Sequence, residues 1–383
     1  MGTLFHPSAP VTDSETDRRA LVALGLVPGV GSARVRALVS ALGSATAVMA
    51  ARPAQLAAVD GVGRQTAEAI ARWDDDPAVD RLLERAERAG ARPVALADAD
   101  YPALLRRIYD PPPLLWVRGR LAPEDDDGVA VVGTRKASDY GRRVAEEVAA
   151  GLAGHGLTVV SGLAYGIDIA AHAAALDAGG RTVAVLGSGV DRIYPARHVG
   201  LVRRLLESDR GAVVSELPPG TEPEAGHFPR RNRIVAGMTL GTVIAESRER
   251  GGALLTAALA LEEGREVFAA PAPLFSETTG TNRLIQRGYA ALLTSADEIA
   301  EVLAPLRRHP QATGATNAAE APLPADLTAV ERRLLDALGT DPRPFDAVVD
   351  AAGVDASTGL VYLLQLEFRG LVRQLAGKQF YRS

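Results

Sequence analysis

Short apolar runs separated by segments of helical periodicity fill the middle of the chain. Val129–Val132 runs into a Gly-containing turn and then a helical segment from about Tyr140 to Leu152. Leu157–Ser161 and Thr182–Leu186 end in the same way. Continuous apolar runs that alternate with helices are typical of a parallel sheet buried on both faces. The pattern therefore predicts a doubly wound α/β sheet.

The same pattern extends over residues 91–305, which we assign to one α/β domain. Its predicted strands are Pro93–Leu96, Leu114–Val117, Val129–Val132, Leu157–Ser161, Thr182–Leu186, Ala212–Ser215, Gly241–Ala245, Glu266–Ala269 and Ala290–Leu293. Ligands of such sheets bind outside the carboxyl ends of the strands. Here those ends carry Gly, Ser, Thr and Arg, which are residues suited to phosphate binding.

The segment before this domain, residues 18–90, has only helical patterns. Two related turns, Gly29–Gly31 and Gly61–Gly63, each stand directly before a helix, as in a paired helix-hairpin-helix or SAM-like unit. Glycine backbone N–H groups and a helix N-terminus favour an anion, so a DNA phosphate could dock there. The alternative is that these turns only connect helices, and few arginines lie nearby.

The segment after it, residues 326–383, gives three helical patterns and then an apolar hairpin, which is the order of a winged helix. Thr328 is predicted to cap the first helix. The presumed recognition helix carries Asp355, Glu367 and Arg369 and is otherwise apolar or neutral. Helices that enter a major groove usually bring more cations and amides, so protein contact or structural support is favoured.

Residues 1–17 are predicted to be disordered, and residues 306–325 to be a linker, because both lack apolar periodicity. The chain of 383 residues contains no cysteine, which excludes disulfides, thiolate metal sites and cysteine nucleophiles. The first residues do not resemble a signal peptide, and no apolar run is long enough to span a membrane. A cytoplasmic protein without a membrane segment is expected. With a net charge of −5, any nucleic-acid site must be a local basic patch.

One dense basic cluster lies within residues 227–234 and contains Phe228, Arg230, Arg231, Asn232 and Arg233. Arginine forks grip phosphates, and an aromatic ring can stack on a base. The strand ends add a further set of candidates. These are Arg135, Ser161, Gly162, Gly187, Ser188, Gly189 and Thr256. On a doubly wound sheet these groups converge on one edge.

Motifs for other chemistry are absent from the sequence. There is no P-loop, no Gly-x-Gly-x-x-Gly after a strand and no His cluster with metal spacing, so no catalytic residue, metal or cofactor is assigned. Asp168 and His172 could form an acid–base pair, although a pair that locks the helix to a neighbouring loop is favoured. Glu216, Glu246 and Asp191 are the candidate acids or bases if the domain is instead an enzyme acting on nucleoside monophosphates.

Together the motifs resemble the DNA-processing protein A (DprA, or Smf) family over nearly the whole chain. The resemblance is carried by Val132–Arg135, Ser161–His172, Leu186–Pro195, Phe228–Gly237, Glu246–Thr256 and Gly280–Gln286. It implies an extended Rossmann-like domain between a helical N-terminal module and a C-terminal winged helix. Family members often have a lysine in the basic motif, where this chain has only arginine; arginine keeps phosphate binding and adds bidentate contacts.

The resemblance further implies a non-enzymatic cytoplasmic protein. Such a protein binds incoming single-stranded DNA during natural transformation and helps load the recombinase RecA. The family's DNA pocket maps to the strand-end and basic-cluster residues named above. A homodimer is also implied, with Leu284, Ile285 and Leu292 as candidates for its surface. A scaffold that works only through the two flanking domains is the remaining alternative, but it gives the arginine cluster no role.

Overall fold

The computed structural model describes residues 15–74, 76–309, 327–339, 342–369, 371–375 and 378–382. It divides the chain into two compact units that meet between Glu298 and Ile299. The first unit contains the N-terminal helices and the large sheet, and the second contains the winged helix. The boundaries drawn from sequence between the three domains stay predictions.

Six helices precede the sheet. They are α1 (Glu15–Leu26), α2 (Ser32–Leu42), α3 (Ala45–Ala50), α4 (Pro53–Ala57), α5 (Arg64–Ala71) and α6 (Asp76–Arg88). The turn between α1 and α2 and the turn between α4 and α5 form the two predicted hairpins, and Gly29 and Gly61 adopt positive φ in them. The Arg34 guanidinium donates to the carbonyl oxygens of both Gly29 and Gly61. One arginine therefore ties the two hairpins together.

The large sheet has nine strands in the order β1-β2-β6-β5-β4-β3-β7-β8-β9. Their bounds are β1 (Ala91–Ala95), β2 (Leu114–Gly119), β3 (Gly128–Gly133), β4 (Thr158–Ser161), β5 (Thr182–Val185), β6 (Gly211–Ser215), β7 (Gly241–Glu246), β8 (Glu266–Ala269) and β9 (Ala291–Leu292). All nine strands predicted from the apolar runs are present. From β6 to β9 in this order the pairing is parallel, whereas β2 pairs antiparallel with β6 and β1 pairs antiparallel with β2.

Helices cover both faces of the sheet. They are α7 (Asp139–Gly154), α8 (Ile167–Asp177), α9 (Val199–Glu207), α10 (His227–Gly237), α11 (Gly252–Glu262) and α12 (Gly280–Gln286). Helix α13 (Ala296–Leu303) follows β9 in the chain. The central strands are buried on both sides, as their continuous apolar sequences require. The strands β4, β5 and β6 follow one another on one side of β3, and β7, β8 and β9 follow one another on its other side. The switch point of the sheet is therefore between β3 and β7.

The second unit contains α14 (Ala329–Ala337), α15 (Phe345–Ala352) and α16 (Ala356–Phe368), with β10 (Arg343–Pro344), β11 (Val372–Leu375) and β12 (Gln379–Arg382). The strands form a small antiparallel sheet in the order β10-β12-β11. The predicted cap is confirmed, since Thr328 Oγ1 accepts a hydrogen bond of 3.2 Å from the Glu331 N–H. The short strand β10 was not predicted, because two residues carry no periodicity.

The predicted disordered and linker segments fall mostly outside the described residues. The exception at the start is residues 15–17, which form the first turn of α1 rather than disordered chain. The predicted linker 306–325 is described only as far as residue 309. Within the described part, no single helix is long and apolar enough to cross a membrane; α15 and α16 together have the required length and composition, but a bend of 103° separates them.

Candidate nucleic-acid interface

The carboxyl ends of β3, β4 and β5 lie side by side and form what we call the strand-end site. Helix α10 crosses it, because the basic cluster of the sequence folds as this helix rather than as a loop. Phe228 on α10 packs so closely on the turn after β5 that a Cβ on Gly187 would lie 3.1 Å from its Cδ1 atom. Glycine at this position therefore allows the helix to approach the sheet.

Arg231 is buried beneath α10, with 7% of its surface exposed. Its guanidinium donates to the Val185 carbonyl oxygen, and a Cβ on Gly162 would overlap it. Burial lowers the pKa of Arg231, and the charge of Asp168 opposes that shift. Burial likewise raises the pKa of Asp168, against the charge of Arg231 and two backbone N–H groups. Each of these opposite charges offsets part of the cost of burying the other.

Arg233 is also used within the structure. Its Nε atom donates to Asp110 Oδ2 at 3.1 Å and its Nη2 atom to Glu216 Oε1 at 2.6 Å. Glu216 accepts a second hydrogen bond of 2.6 Å from the Ser32 hydroxyl, at the start of α2. Arg233 is thus neutralised by two carboxylates and helps to hold the first hairpin against α10.

Arg135 and Arg230 differ from this pair, because both are exposed. The Arg135 guanidinium carbon lies 4.8 Å from the centroid of the Phe228 ring, and the Tyr194 ring lies 5.9 Å from the same ring. Among the described residues, Arg230 has no ion-pair or hydrogen-bond partner. Two cations and two aromatic rings are therefore available at the surface of the strand-end site. Tyr194 is 43% exposed.

The polar groups predicted at the strand ends largely bond within the protein. Ser161 Oγ donates to the Val131 carbonyl at 2.7 Å, and Ser188 Oγ donates to the Arg192 carbonyl at 2.6 Å. The Gly162 N–H donates to Asp168 and the Gly189 N–H to the Thr221 carbonyl. Asn232 accepts from Arg231 Nε at 3.3 Å, and Thr256 is buried on α11, which packs against α10. Most of these residues shape the site rather than present free donors.

The three carboxylates proposed for an enzyme each have a structural contact. Glu246 Oε2 accepts from the Ser138 N–H at 2.9 Å, at the N-terminus of α7. Asp191 accepts from the Gly220 N–H and from Arg85 Nε, both at 2.7 Å. Glu216 accepts from Ser32 and Arg233. Each of the three carboxylates therefore has a role within the fold.

Asp168 and His172 do not bond to each other. His172 Nδ1 lies 2.6 Å from the Thr182 hydroxyl, whereas Asp168 accepts from the N–H groups of Gly162 and Ala164. Burial lowers the pKa of His172 to about 3. The pair expected from sequence is therefore absent: Asp168 holds α8 to the preceding loop, as the favoured interpretation required, but His172 contacts strand β5 instead. No group of three or more His, Asp or Glu side chains in the described residues could hold a metal ion.

The flanking domains show different surfaces. The first hairpin docks on the α/β domain through Ser32, and Arg36 on α2 pairs with Asp110. Its contacts favour a structural role for this hairpin. In the winged helix, α16 exposes an apolar stripe that no sequence argument had singled out. Its members are Leu360, Val361, Leu364 and Phe368. Such a face fits protein contact better than a DNA groove.

Comparison with known proteins agrees with the whole architecture. A family model for DNA recombination-mediator protein A matches residues 92–304, one for the DprA winged helix domain matches 318–378, and one for a SAM-like helix-hairpin-helix tandem matches 22–72. The chain belongs to the DprA (Smf) family. The Smf protein of Synechocystis is 34% identical to it, over 93% of this chain and 96% of that protein.

Solved DprA structures share the fold. DprA from Streptococcus pneumoniae has a TM-score of 0.65 at 34% identity, covering 74% of this chain and 97% of that one. A structure that describes the single-stranded DNA binding mode of DprA from Helicobacter pylori has a TM-score of 0.50 at 27% identity, covering 56% of this chain and 95% of that one. The Rossmann-like sheet, the helix-hairpin-helix module and the winged helix predicted from sequence are confirmed.

Proposed function

We propose that this DprA-family protein binds single-stranded DNA at the strand-end site, with Arg135 and Arg230 on phosphates and Phe228 stacked on a base. The single observation that carries the proposal is the cluster of the exposed Arg135 and Tyr194 around the half-buried Phe228 ring, next to the buried Arg231. Flat rings beside unpaired guanidinium groups suit a strand with free bases better than a duplex, whose bases are stacked away. The single-strand binding described for the H. pylori DprA supports the same assignment.

The biological role we propose is that of a recombination mediator. The protein would receive incoming single-stranded DNA in the cytoplasm during natural transformation and help load RecA onto it. Membership of the DNA recombination-mediator family supports this role. It requires binding and release but no bond chemistry, which agrees with the structural contacts of Glu216, Glu246 and Asp191.

We also propose a homodimer that forms at the β9 edge of the sheet. Leu292 on this two-residue edge strand is 46% exposed and the nearby Tyr289 is 52% exposed. Leu284 and Ile285 pack partly into the core and would support that edge from below. Light scattering of the wild type and of Leu292→Asp tests the assignment. A dimer that survives the substitution would move the surface elsewhere.

The test of DNA binding is a salt titration with labelled single-stranded and duplex DNA of equal length. Wild type, Arg135→Ala and Arg203→Ala would be compared, because Arg203 is an exposed arginine on α9 that removes the same charge away from the strand-end site. We expect strong preference for the single strand, affinity weakened by about tenfold in Arg135→Ala, and near wild-type affinity in Arg203→Ala. Equal binding to both DNA forms, or equal affinity of the two variants, would contradict the proposed site.

A further inference from the structure

A cavity of about 240 Å³ lies between the N-terminal helices and α10. Most of its wall is apolar. The apolar side chains include Leu21, Val22, Val30, Val35, Leu186 and Ile234. Pockets for drug-sized ligands span roughly 300–1,000 Å³. This cavity has room for one flat ring system but not for a whole nucleotide.

Glu216 provides a polar group at the wall of the cavity. Its Oε1 atom accepts from both Ser32 and Arg233, so that oxygen is saturated. For its Oε2 atom the described residues provide no hydrogen-bond donor. One carboxylate oxygen therefore remains able to accept a hydrogen bond from a ligand.

The cavity adjoins the strand-end site. Leu186 in its wall directly precedes Gly187, on which Phe228 packs, and Arg230 and Arg231 also line it. A wider cleft of about 610 Å³ shares Gly31 and Arg230 with the cavity and is lined by both hairpins. A strand bound along α10 at Phe228 thus passes beside the cavity, with the unpaired charge of Arg230 next to it.

We propose that this cavity is a subsite for a single nucleobase of the bound strand, next to the base stacked on Phe228. The inference rests on the proposed single-strand binding and adds to it a contact made jointly by the N-terminal helices and the α/β domain. The faces of a base are apolar and match walls of leucine, valine and isoleucine, while its polar edge needs a partner.

The chemistry of Glu216 further defines the base. A carboxylate oxygen accepts from an exocyclic amino group, as in the contact of Glu with cytosine N4. Adenine, cytosine and guanine carry such a group, whereas thymine does not. The subsite is therefore expected to favour an amino-bearing base over thymine at one position of the strand.

The primary experiment scans one abasic residue along a short labelled single strand. Loss of the base that fills the cavity removes its contacts, so affinity should fall by roughly tenfold at that position. Replacing the same base by thymine should give a smaller loss. The scan uses the wild-type protein and does not depend on any variant that must fold.

The two hairpins offer a matched pair of variants for the second experiment. Gly31 and Gly63 each stand just before a helix, both have extended backbone, and an added Cβ would meet nothing within 4 Å at either position. Only Gly31 lines the cavity. Gly31→Trp should weaken single-strand binding by about tenfold and abolish the abasic effect, whereas Gly63→Trp should change neither.

A second blocking position covers the case in which Gly31→Trp does not fold. Gly25 on α1 also lines the cavity and has open space at its Cβ, so Gly25→Phe should act like Gly31→Trp, with Gly25→Ala as its control. Alanine in a helix interior is about 1 kcal/mol more favourable than glycine, so the α1 helix should persist.

The outcomes separate this inference from the proposed function. If the wild type binds strands and Arg135→Ala weakens binding, but abasic strands bind equally well, the subsite is wrong and the strand-end site stands. If the wild type does not bind single strands, both fail. If free dCMP binds the wild type but not Gly31→Trp while the abasic scan is flat, the cavity takes the base of a free nucleotide, and the strand-base assignment is overturned.

Discussion

Two pairs of arginines meet at the strand-end site and differ in every physical respect. The inner pair, Arg231 and Arg233, is closed in by backbone carbonyls and carboxylates. The outer pair, Arg135 and Arg230, reaches solvent, and its only described contact is that of Arg135 with an aromatic ring. Arg230, Arg231 and Arg233 lie within four consecutive residues of one helix. Neighbouring arginines on α10 therefore differ: two are bonded within the fold and one is exposed to solvent.

The difference shows that arginines of one basic sequence cluster can have two roles, one in the structure of the site and one in binding. A buried charge is tolerated only with a partner, so the inner pair is committed to the shape of the site. An exposed cation can exchange its bound water for a phosphate at a small cost in free energy, so the outer pair is suited to DNA binding. Stability measurements should respond to the inner pair and DNA affinity to the outer pair.

The largest expected effect is that of Arg231→Ala on stability. The substitution leaves Asp168 buried without the opposite charge of Arg231. We therefore expect the free energy of unfolding to fall by about 3–5 kcal/mol. Denaturant unfolding followed by circular dichroism measures it, with Arg203→Ala as the control. Unchanged stability combined with lost DNA affinity would reverse the roles of the two pairs.

The next effect is a pH dependence of stability that arises from His172, which is buried near the inner pair. Burial, and next the charge of Arg231, lower the pKa of His172 from 6.5 to about 3. The unfolded chain therefore takes up a proton first, and stability falls as pH drops below 6.5, by about 1.4 kcal/mol per unit until pH nears 3. His172→Asn, which can still donate to Thr182, should remove that part of the slope. Parallel curves for both proteins would contradict it.

A smaller effect is expected for Phe228→Leu, which keeps an apolar side chain over Gly187 but removes the ring. Stacking of a base on an aromatic ring contributes about 1–3 kcal/mol, so single-strand affinity should fall by roughly 5- to 150-fold. Fluorescence anisotropy with a labelled strand measures the loss. Tyr194→Leu on the neighbouring ring shows whether one or both rings stack.

The smallest effect is that of Arg135→Gln. One lost phosphate contact should weaken binding by about tenfold at low salt and reduce the slope of log affinity against log salt by about 0.7. Stability should stay within about 0.5 kcal/mol of wild type, because the side chain is exposed. A change in stability without a change in the salt slope would mean that Arg135 acts within the fold, as the inner pair does.

Much of this architecture could be predicted from local sequence. Each strand is an apolar run that ends at a turn, and the Thr328 cap and the paired hairpins are short patterns that need no distant partner. The burial of Arg231 could not be predicted in this way, because its neighbours Gly162 and Val185 come from two other strand ends. The link between Ser32 and Glu216 was missed for the same reason, since 184 residues separate them.

The order of strands was also beyond sequence reasoning. Nothing in the apolar run of β2 distinguishes it from the parallel strands, yet β2 lies beside β6 and runs in the opposite direction, with β1 antiparallel to it at the edge. Likewise, the exposed stripe on α16 could not be told from core positions, because Leu363 and Leu366 on the same helix are fully buried.

The carboxylate of Glu246 has a consequence for competition inside a cell. In dinucleotide-binding sheets the N-terminus of the helix after the first strand, at the switch point, receives a pyrophosphate. Here the chain places its own anion there: Glu246 accepts from the Ser138 N–H, and a Cβ on Gly141 would overlap its carboxylate. The abundant free nucleotides of a cell therefore find that position already taken. The DNA site proposed at the neighbouring strand ends is then not in competition with nucleotides at the switch point.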